Sequence, residues 1–170
     1  MKSIELRRHT DNDRDRLTDE GVRQARVIAK RLSPPYDLFV STGAQRATQT
    51  LEVWRRELGT DSPIQDEIRL RSEHEDRWKQ AHERADSSEL ARMQEVDHNF
   101  VQEEAGVLGA ALQSVFERLP ESGTALVCGH SPTNEAAVLG LTGQLIKPMG
   151  KGAGVRIVQE GERYRVEPLD

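Results

Sequence analysis

Arg8 and His9 stand side by side near the start of the chain, Arg46 comes later, and His130 later still. Their types suit phosphoryl transfer. A neutral imidazole can attack phosphorus and carry the group covalently. Guanidiniums offer planar forks of donors to phosphate oxygens. A second imidazole can donate a hydrogen bond to charge that develops in the transition state. Taken singly, each residue reads more simply as part of a surface Arg–His pair or as a capping His. Their common placement at the ends of successive strands favours a shared site.

Residues 4–8, 37–41 and 124–128 carry strand signals, and the last holds the clearest buried strand. The first run delivers Arg8 and His9, the second is followed by Arg46, and the third delivers His130. Ligands of an open α/β sheet gather beyond the carboxyl ends of its parallel strands, so one crevice is expected to collect all four residues. Thr18 is placed to cap a helix that carries Val22, Ala25, Ala29 and Leu32 at helical spacing, stopped by Ser33-Pro34-Pro35. A second helix carries Ala47, Leu51, Trp54 and Leu58 on one face and ends at Gly59, and helical period returns from Gly106. A third helix is expected to start at Ser131-Pro132-Thr133, and residues 155–158 and 164–166 form a hairpin signal about Gly161. Strands alternating with helices predict an α/β three-layer sandwich, a mostly parallel central sheet with helices on both faces.

The 170 residues suit one domain. Charged residues make up 31%, and 24 basic against 29 acidic side chains leave a net charge of -5, so no global positive field favours nucleic acid. With 4% aromatic residues, the core must come mainly from aliphatic side chains. Residues 66–104 are dense in charge and thin in apolar residues, which predicts solvated helices or an inserted cap. The single cysteine, Cys128, excludes an internal disulfide and fits a reducing compartment. No apolar run approaches the length of a membrane span, and the N-terminus is too polar for a signal peptide, so a cytoplasmic location is expected.

Four ordered blocks carry a family resemblance. Leu6-Arg7-Arg8-His9-Thr10 is similar to an Arg-His-Gly signature. Leu17-Thr18-Asp19-Glu20-Gly21-Val22-Arg23-Gln24-Ala25 matches Leu-Thr-x-x-Gly-x-x-Gln-Ala. Val40-Ser41-Thr42-Gly43-Ala44-Gln45-Arg46-Ala47-Thr48-Gln49-Thr50 contains an Arg-Ala-x-Gln-Thr block, and Gly129-His130-Ser131-Pro132 completes the set. Together they resemble the histidine phosphatase superfamily, also called phosphoglycerate mutase-like. The short loop from His9 to Leu17 is most similar to the small phosphohistidine phosphatase branch. The resemblance implies that His9 becomes the phosphohistidine and that Arg8, Arg46 and His130 form the phosphate pocket, with Thr10 and Ser131 beside it. It implies no metal and no organic cofactor. The partner would be a phosphorylated small molecule or a phosphoprotein. Thr10 stands where the family has Gly, and Gly43 where it usually has Pro.

Release of an alkoxide needs a proton, which the family usually takes from a carboxyl in mid-chain. Arg69-Leu70-Arg71-Ser72-Glu73-His74-Glu75 resembles the family's Leu-x-Glu block, but alignment on Leu70 puts Ser72 in the acid position. Glu73 is the candidate acid; Glu75, another carboxyl or none remain alternatives. Cys128 lacks an Arg six residues on, where Asn134 stands, and reads as a buried strand residue. Residues 150–154 lack the phosphate-loop pattern and precede a strand, so a flexible connection is expected. His74, His82 and His98 have no metal-binding spacing and read as surface residues. Arg7 should face away from Arg8, as a surface charge or one that supports the site from behind. The expected activity is hydrolysis of a phosphomonoester or phosphohistidine. The alternatives are a mutase, disfavoured by the short loop after His9, and a phosphate-binding module without turnover.

Overall fold

The computed structural model describes residues 1–169. Its strands are β1 (Ser3–Arg8), β2 (Asn12–Asp13), β3 (Arg16–Leu17), β4 (Leu38–Ser41), β5 (Ile64–Asp66), β6 (Thr124–Gly129), β7 (Gly154–Glu160) and β8 (Arg163–Leu169). Its helices are α1 (Asp19–Ala29), α2 (Gln45–Leu58), α3 (Glu75–Ala85), α4 (Leu90–Val96), α5 (His98–Arg118) and α6 (Thr133–Thr142). Six strands form one sheet in the order β5-β4-β6-β1-β7-β8, and β2 pairs with β3 as a separate small hairpin. β5, β4, β6 and β1 run parallel, while β7 and β8 close the other edge antiparallel. The mostly parallel α/β sheet expected from the sequence is therefore present.

Both faces of the sheet are covered, which is why β4 and β6 have continuous apolar centres. On one face α1 and α2 bring Ala25, Ile28, Leu51 and Trp54 against Phe39, Leu126 and Cys128. On the other, Ile4, Leu6, Val40 and Val127 pack under Leu108, Leu112 and Val115 of α5 and Ala136 and Val138 of α6. Thr18 caps α1, its hydroxyl accepting the Gly21 N–H at 3.0 Å. α5 and α6 cross closely because small residues meet there: a Cβ on Gly140 would stand 1.8 Å from the Ala105 carbonyl oxygen.

Several expectations change. The helix expected from Gly106 begins at His98, and its extra turns place Phe100 and Val101 in the core. The charged stretch 66–104 is anchored rather than fully solvated. Trp78 and Ala81 of α3 and Leu90 and Met93 of α4 join the same apolar cluster, spaced too sparsely among charges to stand out in the sequence. Of the two readings of Arg7, the one as a surface charge falls. The residue is 2% exposed, and its Nε donates to Glu5 Oε2 at 2.6 Å; Tyr36 donates to the other oxygen of that carboxylate at 2.8 Å. β1 carries this ion pair because its α1-side face alternates with the apolar face that meets α5.

The connection 150–154 is tied down. The Gly152 N–H reaches the carbonyls of Arg8 and His9 at 3.1 and 3.2 Å, Arg7 Nη1 donates to the Gly152 carbonyl at 2.9 Å, and Lys151 binds Asp11 at 2.9 Å. Gly152 holds φ at +79°, and a Cβ there would meet Ile28 Cδ1 at 2.1 Å, so the turn requires glycine. No helix among the described residues is long and apolar enough to cross a membrane.

Candidate active site

Strand register assembles the site. Arg8 lies opposite Gly129 and Ser41 opposite Cys128, so the carboxyl ends of β1, β6 and β4 are level. The next residue of each strand is then His9, His130 or Thr42. The His9 N–H bonds the Gly129 carbonyl at 3.0 Å, and the imidazoles of His9 and His130 lie with centroids 5.3 Å apart and planes inclined at 60°.

His9 is 4% exposed, and its Nδ1 lies 2.8 Å from the Thr10 carbonyl. A carbonyl only accepts, so Nδ1 carries the proton and Nε2 keeps its lone pair. Burial, opposed by that hydrogen bond and aided by Arg46, Arg8 and Lys151, lowers the His9 pKa to about 4. His130 Nε2 pairs with the Thr42 hydroxyl at 2.8 Å. Burial, then Arg46 and His9, hold His130 far below the ordinary histidine range. Both rings are thus neutral near pH 7.

Arg46 sits in the first turn of α2, whose capping position, Ala44, has no side chain to do the work. Asp15, from the turn between β2 and β3, does it instead. Its Oδ1 accepts the Arg46 N–H at 3.2 Å and Arg46 Nη1 at 2.8 Å. Burial works against the Asp15 charge, but the N–H groups of Arg46 and Gln45 and the Arg46 guanidinium hold its carboxyl below the usual range. Arg8 Nη1 donates to the Met149 carbonyl at 3.0 Å.

Among the described residues, the buried side-chain polar atoms with no partner are Arg8 Nε, Thr10 Oγ1, His130 Nδ1 and Glu135 Oε1. They belong to one neighbourhood. Buried polar groups are ordinarily satisfied, so such a cluster marks a place built for another polar group. Beside it is a cavity of about 300 Å³ lined by Arg46, Ser72, Trp78, Lys79, His82, His130 and Ser131. Among the described residues, no group of acidic, His and Cys side chains is arranged to hold a metal ion.

The sequence profile of the histidine phosphatase superfamily (branch 1) matches residues 2–152. The chain belongs to this superfamily. No curated protein sequence matches it. Solved structures with the same fold include a phosphoglycerate mutase from Bacillus anthracis, 16% identical, with a TM-score of 0.75 over 98% of this chain and 92% of the other. The protein histidine phosphatase SixA, complexed with tungstate, is 18% identical, with a TM-score of 0.66 over 97% of this chain and 94% of its own. A mycobacterial glucosyl-3-phosphoglycerate phosphatase is 16% identical, with a TM-score of 0.69 over 98% and 97% of the two chains. At these identities the likeness is one of fold.

Within this histidine phosphatase fold the departures noted in the sequence have visible settings. Gly43 holds φ at +92°, which the ring of a Pro cannot adopt, so the backbone before Arg46 has no place for a Pro at this position. Thr10 is buried, its hydroxyl among the unpartnered atoms. Ser72 is buried and donates to Glu104, which also accepts Trp78 Nε1 at 2.8 Å. Glu73 is exposed and lines separate hollows with Arg71 and His74. The cavity beside His130 receives Glu75 instead, paired with Arg71 at 3.1 Å. His82, read as a surface residue, lines that cavity. Sequence reasoning missed Asp15, Thr42 and Glu135. Thr42 directly follows a predicted strand and could have been found by that signal; Asp15 sits in a charged turn and had none.

Proposed function

We propose that this chain is a phosphatase working through a covalent phosphohistidine on His9. The observation that carries the reading is the His9 Nδ1 contact to the Thr10 carbonyl at 2.8 Å. It fixes the tautomer that leaves Nε2 free to attack, in a ring kept neutral by its surroundings. Arg8 and Arg46 take the phosphate oxygens, with the buried Thr10 Oγ1 beside them and Ser131 at the rim, and His130 donates to charge developing on the equatorial oxygens. The P–O bond to the leaving group breaks as the N–P bond forms. Water then attacks phosphorus, breaks the N–P bond and frees His9 and inorganic phosphate. The cavity of about 300 Å³ suits a phosphorylated metabolite or a single phosphorylated side chain. That SixA is described in complex with tungstate, a phosphate-like anion, fits this reading.

Rapid acid and alkaline quenching with labelled aryl phosphate tests it. Wild type should yield a labelled protein stable in alkali and labile in acid, and His9→Ala should yield none and turn nothing over. Label that persists in His9→Ala would reject the assignment. Label returned to a second hydroxyl acceptor rather than to water would make the chain a mutase. Tight anion binding with no label would make it a binding module.

A further inference from the structure

One buried carboxyl of the site has no part in the chemistry above. Glu135, in the first turn of α6, is 1% exposed. Its Oε2 accepts the Ser131 hydroxyl, and its Oε1 has no partner. Ser131 directly follows His130 and lines the cavity that Arg46 and His130 share. Glu73 faces other hollows, and Glu75 is half exposed and ion-paired. Resting on the phosphohistidine reading, we propose that Glu135 supplies the leaving-group proton, handed on by the Ser131 hydroxyl.

The hydrogen bond explains how. With Glu135 ionised, the Ser131 proton points at the carboxylate and away from the cavity. When Glu135 takes up a proton, the bond reverses: the carboxyl donates to Ser131 Oγ, and the hydroxyl hydrogen is free to turn into the cavity. Burial is the main cause that raises the Glu135 pKa to about 7; the Ser131 hydroxyl, its own N–H, Arg8 and the Met149 N–H pull the other way. Those are the groups facing it, from β1, α6 and the segment before β7, and Arg8 is the charged one. A phosphate dianion drawn to Arg8 competes for that guanidinium and raises the proton affinity of the carboxyl further. Substrate binding therefore loads the donor. As His9 Nε2 bonds to phosphorus and the P–O bond breaks, the departing oxygen takes the Ser131 proton while Oγ takes the Glu135 proton. When water attacks the phosphohistidine, its proton returns along the same path to the Glu135 carboxylate.

Glu135 would then be a positioning and proton-holding residue, with Ser131 making the contact. Its signature is dependence on the leaving group. Turnover of an alkyl phosphate and of p-nitrophenyl phosphate is to be compared for wild type, Glu135→Gln, Ser131→Ala, Glu73→Gln and Glu75→Gln. Glu135→Gln and Ser131→Ala should each slow the alkyl phosphate by about 10²–10³-fold, within the range of general acids, and the nitrophenyl ester by less than about tenfold. In wild type, kcat/KM for the alkyl phosphate should fall as pH rises beyond about 7, where the free carboxyl loses its proton, and Glu135→Gln should lack that limb. Equal losses on both esters in Ser131→Ala, an alkaline limb kept in Glu135→Gln, or the alkyl-specific loss appearing in Glu73→Gln or Glu75→Gln would each overturn the proposal. Failure of the underlying reading shows elsewhere, as His9-independent turnover of the nitrophenyl ester.

Discussion

Arg46 reaches the site through two contacts that a single carboxylate makes, so its contribution and that of Asp15 can be separated. On the proposed mechanism Arg46→Ala removes a preorganised donor to the transition state, and it should lower kcat by about 10²–10³-fold. Asp15→Ala leaves the guanidinium in place but frees it to swing, and uncaps α2. Aryl phosphate kinetics should show a smaller loss than Arg46→Ala together with a lowered melting temperature, and equal kinetic losses would show that Asp15 does more than orient. His9 gives the second expectation. With its pKa lowered from 6.5 to about 4, the imidazole stays neutral far into acid, and so keeps the lone pair that the proposed attack needs. The acid limb of kcat/KM, corrected for ionisation of the substrate, should fall near pH 4; a limb near 6.5 would mean that the ring is solvated in the free protein. The same shift acts on stability. The unfolded chain gains the His9 proton as pH drops below 6.5, whereas the fold resists it until about 4, so stability is full above 6.5 and declines between these values. Arg8, His9, Arg46 and His130 could be singled out in the sequence because each lies at or soon after the end of a legible strand. Glu135 could not, since nothing in Thr133-Asn134-Glu135 says that the first turn of α6 is sealed from water.

α5 and α6 are held at a distance that only glycine permits. Gly140→Ala would drive a methyl group into the Ala105 carbonyl, where backbone has to give, and Gly109 faces Gly140 across the same crossing. The substitution should cost about 1–3 kcal/mol, as overpacking does, measured by urea unfolding with an unchanged m-value. Because α6 also carries the residues after His130, aryl phosphate turnover in the same variant reports whether the crossing sets the height of that helix over the site. Elements with dense apolar period, such as α1 and α2, were readable in the sequence. α3 was not, because only Trp78 and Ala81 of its eleven residues are buried, too few to reveal a period among so many charges. The start of α5 was hidden because one of its inward positions is the charged Glu104.

At the scale of the whole molecule, the strands were legible but their order was not. β6 inserts between β1 and β4, joining Ser3 to Thr124 and Leu38 to Ala125, and pairings so distant leave no local trace. That insertion concentrates cationic groups at one edge of a chain whose net charge is -5. Vanadate or tungstate should therefore bind despite the overall repulsion, stabilising the fold by about 2.7 kcal/mol at a hundred times its dissociation constant. Calorimetry should show the melting temperature rising with the anion and not in Arg46→Ala. The insertion also encloses Cys128, the one cysteine, in the middle of the sheet. Burial pushes its thiol up, against the pull of Thr50, Arg46 and Arg7, so no thiolate forms near neutral pH. Enzymes that cleave phosphoesters with a thiolate are silenced when peroxide oxidises it to a sulfenic acid. In the mechanism proposed here nitrogen does that work, and the sulfur is sealed away two residues from His130. The protein should keep its turnover through peroxide exposure and take up iodoacetamide only once unfolded, and so go on removing phosphate under oxidative stress.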